Sequence, residues 1–168
     1  AAVVANTPDV AANITVTRGA MLIKQVQVPA KSVAAIQLPW IPALTKGLGP
    51  SAVTLEGAYR LRSDHPVTVY QYNLLYTSAT NDASLLLPVN AWTGDYVVAS
   101  FPHFAALNYP SFYAVTARVD GTTVTLSPSA TGGKVQAGGG VAADGTGQVV
   151  LNAGDVLQVA SAPGADLT

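Results

Sequence analysis

What constrains this chain most is the spacing of its apolar residues, which alternate with polar ones in short runs closed by proline, glycine or an Asx turn. Alternation places every second side chain on one face of a strand, while a helix would need a period near 3.6. Asn13–Thr17 reads NITVT, with Ile14 and Val16 on one face. Met21–Val28 and Ser32–Leu38 read as a strand pair around Pro29-Ala30-Lys31. Val53–Arg62 and Pro66–Asn73 read as strands joined at Ser63-Asp64-His65, where the Asp64 carboxylate can cap its own turn. Alternation sets Tyr59 and Leu61 against Arg60 and Arg62, and Val67, Val69 and Gln71 against Thr68, Tyr70 and Tyr72.

Ser84–Leu87 is a continuous apolar run ended by Pro88, the pattern of a strand buried on both faces, and Tyr96–Phe101 reads as another strand. Ser111–Val119 and Thr122–Leu126 flank Asp120-Gly121, a pair suited to the two positive φ angles of a type I′ hairpin turn. Gln148–Leu151 and Val156–Ala160 flank a turn at Asn152–Asp155. The prolines and glycines of Pro39–Ser51 predict a loop that Trp40 and Ile41 pin by packing inward. Gly132–Gly147 holds seven glycines and reads as a flexible loop or an irregular long hairpin. One short helix or 3₁₀ turn fits near Asn90–Trp92 or Ala105–Leu107. The expectation is an all-β chain, a β-sandwich or related barrel of about a dozen short, mainly antiparallel strands.

Composition narrows the function. Charged residues are 10 % of the chain, against about 25 % in a typical soluble domain, too few to paint the outer stripe of long amphipathic helices. A net charge of −1 leaves no basic patch for phosphates, which argues against nucleic-acid binding. No cysteine is present, so thiol chemistry and disulfides are excluded. Although 49 % of residues are hydrophobic, no apolar stretch reaches the about 18 residues of a transmembrane helix. The 168 residues fit a single domain, 1–168. The opening AAVVANTPDV and the closing Gly164–Thr168 read as the ends of a fragment of a longer chain.

RSDHPVTVYQYN (Arg62–Asn73), NDASLLLPVNAWTGDYVVASFP (Asn81–Pro102), FYAVTARVDGTTVTLSPS (Phe112–Ser129) and VVLNAGDVLQVAS (Val149–Ser161) resemble, in that order, the IgGFc-binding protein N-terminal domain family. ANITVTRG and VQVPAKSVAAIQLP are similar to its opening strands. The resemblance implies an extracellular or cell-surface all-β module of bacterial type, with no catalytic or ligand residues to carry over. It also implies that the pattern continues past Asp166-Leu167-Thr168 into a further strand similar to Ser63–Val67. A protein partner, or a downstream segment of the same precursor, would then complete the fold.

Candidate chemistry is sparse. His65 and His103 are the only histidines; pairing with Asp64, Asp82 or Asp95 could make a hydrolytic base or a metal site. Neither stands in a His-x-His or Glu-x-x-His spacing, and Asp64-His65 before a proline reads as turn chemistry. No Gly-x-Ser-x-Gly elbow occurs, and the glycine-rich run lacks the lysine of a phosphate loop. Asp120, Asp144 and Asp155 match no calcium-loop spacing and read as turn residues. No catalytic residue, metal or cofactor is expected. Asn13-Ile14-Thr15 is an N-glycosylation sequon. The candidate binding residues are Tyr70, Tyr72, Tyr76, Tyr109 and Tyr113, rigid amphipathic side chains suited to a protein or, alternatively, a glycan.

Overall fold

The computed structural model describes residues 1–45, 49–73, 82–128, 134–165 and 167. Their strands are β1 (Ala2–Asn6), β2 (Ala12–Arg18), β3 (Met21–Val28), β4 (Ser32–Ile36), β5 (Ala52–Thr54), β6 (Arg60–Ser63), β7 (Thr68–Asn73), β8 (Asp82–Leu86), β9 (Phe112–Thr116), β10 (Thr122–Leu126), β11 (Gly147–Leu151) and β12 (Val156–Ala160). All ladders between them are antiparallel, and none of the sheets closes into a barrel. Among the described residues the helical content is one turn at Pro42–Thr45, inside the proline loop, and a 3₁₀ turn at Val89–Ala91. The strands gather into two compact units, Ala1–Trp40 with Tyr59–Gly94, and Ile41–Ala58 with Asp95–Thr168.

The first unit packs a four-stranded sheet, β4-β1-β7-β8, and a three-stranded sheet, β3-β2-β6, around one core. Ile14 and Val16 of β2 are buried against Val4, Val28 and Ile36, with Tyr59, Leu61, Val67 and Val69 at the margin, as their alternation requires. The link between β3 and β4 is not a hairpin. β3 pairs with β2 and β4 with β1, so Pro29-Ala30-Lys31 carries the chain from one sheet to the other. Buried Asn6 holds that corner: its amide nitrogen lies 2.8, 3.0 and 2.9 Å from the carbonyls of Val10, Val28 and Pro29. Lys31 turns it with φ of 51° and forms a 2.5 Å ion pair with Asp9, too exposed to contribute much.

Ser63-Asp64-His65 is a second corner, since β6 pairs with β2 while β7 pairs with β1 and β8. The Asp64 carboxylate reaches beyond its own turn. It grips Asn13 across the sheet, accepting from the backbone and side-chain nitrogens, each at 2.7 Å. These bonds, the side-chain one foremost, hold its carboxyl below the usual aspartate range. The Val53–Arg62 run is two strands, β5 and β6, interrupted at Glu56, whose φ is +48°. Trp40 does not pack inward; it is 65 % exposed.

The second unit sets the sheet β5-β12-β9 and the ladder β10-β11 around Leu151, Leu157 and Val159, all fully buried. Asp120-Gly121 is again a corner: β9 pairs with β12, and β10 with β11. Only Gly121 has positive φ there, 72°, so the type I′ geometry, which needs two such residues, does not form. Residues 134–147 make tight turns that lay Val135 and Val141 into the core. Gly139, at φ +58°, sits so close to β5 that a Cβ would lie 2.9 Å from the Ala52 Cα.

Candidate interaction surface

A strand at the edge of a sheet pairs on one side only, and its apolar side chains are covered only if a second layer reaches that far. β8 has no such cover: all five of its residues are exposed. Its register against β7 sets Leu86 opposite Val69 and Ser84 opposite Gln71, hence toward the core side, and Leu85 opposite Tyr70 and Ala83 opposite Tyr72, hence outward. Val69 packs on the core, yet Leu86 beside it is 44 % exposed. The run Ser84–Leu87 is therefore not buried on both sides but bare on both, because the opposing sheet has only three strands. Beyond it the Trp92 indole donates to the Leu87 carbonyl at 3.4 Å, and Leu87, Val89 and Trp92 all remain exposed.

Exposure continues in the second unit. Tyr96–Phe101 joins no strand among the described residues; Val97 is 99 % and Phe101 88 % exposed. A β-prone segment forms a strand only where another backbone offers it hydrogen bonds. A turn follows in which Phe104 and Tyr109 exchange backbone bonds of 2.8 and 3.2 Å, with Phe104, Leu107 and Tyr109 exposed.

The described tyrosines divide between the two units. Tyr70 and Tyr72 share the outward face of β7, Tyr70 the more exposed, and Leu85 continues that face from Tyr70. Tyr109 is exposed in its turn, whereas Tyr113 on β9 packs against the second core, where burial pushes its phenol up. Tyr76 lies outside the described residues. The exposed leucines, which outnumber the tyrosines on this edge, carry no sequence signal of their own: a run of apolar residues reads as core.

His65 is exposed, and Asp64 beside it is already occupied by Asn13. The His103 Nε2 lies 3.1 Å from Asn108 Oδ1. Among the described residues no three His, Cys, Asp or Glu side chains gather to hold a metal ion. Asp144 accepts from the backbone and hydroxyl of Thr146 at 2.9 and 2.7 Å, and Asp155 from the N–H groups of Glu56 and Asn152, both at 2.9 Å, so each carboxylate caps a turn. The Asn13 amide, the sequon's acceptor nitrogen, is likewise committed to Asp64.

Small antiparallel sheets with an uncovered apolar edge define an all-β module. The family model described as IgGFc binding protein matches residues 82–168, from the first residue of β8 onward and more than half of the chain. The chain belongs to this family of extracellular protein-binding modules. No curated protein and no solved structure matches it. No helix among the described residues is long and apolar enough to cross a membrane.

Proposed function

We propose that the chain is a non-enzymatic surface or secreted module, of bacterial type, that mediates adhesion or assembly by accepting a strand from a protein partner or from a downstream segment of the same precursor. The observation that supports this reading is β8, whose five exposed residues put Leu85 and Leu86 into solvent on opposite faces of one edge strand. Leaving such apolar side chains bare invites non-specific association, and an added strand that covers them reduces that liability. The test is a photo-crosslinking group introduced at Ser84 in the protein produced in its native source, with the same group at Asp9 as control. A crosslinked polypeptide at Ser84 and none at Asp9 is expected; no crosslink at Ser84 would overturn the reading.

A second reading, glycan binding, is favoured by the outward-facing, exposed Tyr70 with Tyr72 on the same strand face. Glycan-array binding lost in Tyr70→Ala would support it, and an array without any signal would remove it.

A further inference from the structure

Granting strand addition, which this inference rests on, we infer that the incoming segment pairs with β6 rather than β8, and that it alternates apolar with acidic residues. In the first unit β3 meets β1 and β4 at the Pro29–Lys31 corner, while β6, at the other edge of its sheet, runs through Ser63–His65 into β7, which sets it on the side of β7 and β8. β6 pairs only with β2, and no described strand takes up its second edge. One more strand beside it would make both sheets four-stranded and would lie over the core-side face of β8, covering Leu86. Residues opposite each other on paired strands share a face. The position opposite Leu61 would therefore point into the core and call for an apolar side chain. Those opposite Arg60 and Arg62 would point outward beside two exposed guanidinium groups that pair with no carboxylate among the described residues. Their neighbours on β2 are Thr17 and Thr15, which leave that charge uncompensated.

The probes are two capped seven-residue peptides, one alternating valine with glutamate and the other valine with lysine, titrated by fluorescence anisotropy at low salt. The glutamate peptide should bind roughly threefold tighter or more, from two opposite-charge cross-strand pairs. Arg60→Glu with Arg62→Glu should invert the preference, and Arg60→Gln with Arg62→Gln should erase it, in protein whose circular dichroism matches the parent. Leu86→Ser should weaken both peptides equally. Equal binding of the two peptides by the parent protein, or no binding of either, overturns the inference. If the crosslink at Ser84 nevertheless forms, strand addition stands and only its place and chemistry fail; if that crosslink is also absent, both fall.

Discussion

Asp120 and Asn152 cap each other's corners: the Asp120 carboxylate accepts the Ala153 N–H at 2.9 Å, and the Asn152 side-chain oxygen accepts the Gly121 N–H at 3.1 Å. The two turns each carry the chain between the β5-β12-β9 sheet and the β10-β11 ladder, and a parallel bridge between Ala117 and Ala153 brings them together. Asp120→Ala and Asn152→Ala should each cost about 1 kcal/mol in urea unfolding. Because the turns hold one another, the double variant should fall short of the sum by roughly 0.5 kcal/mol or more; strict additivity would mean independent turns.

Asp64 should make stability sensitive to acid. Its folded-state carboxyl titrates below the ordinary 3.8, chiefly because Asn13 donates to it. A depressed carboxylate contributes stability that is full above the unfolded value and is lost as pH falls through the folded one. Acid melts of Asp64→Asn should therefore be flatter than those of the parent below about pH 4. A carbon NMR titration placing Asp64 at or above 3.8 would contradict the two bonds.

The glycines of the second unit are not equivalent. Gly121→Ala faces open space and should cost only the left-handed backbone penalty, about 1–2 kcal/mol. Gly139→Ala adds a clash with the β5 backbone and should cost clearly more. Equal thermal shifts for the two would show that the 134–147 segment yields rather than packs.

Each unit has its own core, and each core has a sensitive centre. Ile14→Ala and Leu157→Ala, both at fully buried positions, should each cost about 2–5 kcal/mol. Amide exchange should accelerate in β1, β2 and β3 for the first and in β9, β11 and β12 for the second.

The alternation of single strands was legible, and so were their faces: Ile14 and Val16 lie inward, and Tyr59 and Leu61 turn in while Arg60 and Arg62 turn out. What could not be read was which strand pairs with which. Pro29–Lys31, Ser63–His65 and Asp120-Gly121 all read as connections within one sheet, and all are corners between sheets. Turn residues set local φ and ψ, whereas a corner and a hairpin differ in distant partners such as Asn13 for Asp64 or Ala153 for Asp120. The bare edge was hidden for a related reason. Ser84–Leu87 is as apolar as a doubly covered strand, and only the three-strand count of the opposing sheet distinguishes the two.

These corners also set the order in which the first unit can assemble. β1 is flanked by β4 and β7, and its ladder with β7 joins Ala2 to Gln71 and Ala5 to Thr68. Most of the unit must be made before its earliest strand acquires both neighbours. Such distant pairing implies slow folding, because the loop must close before its contacts repay the lost entropy. Through that interval the leucines of β8 and the side of β6 that no described strand pairs are open together, so a strand added as proposed above would meet the chain while it folds as well as afterwards.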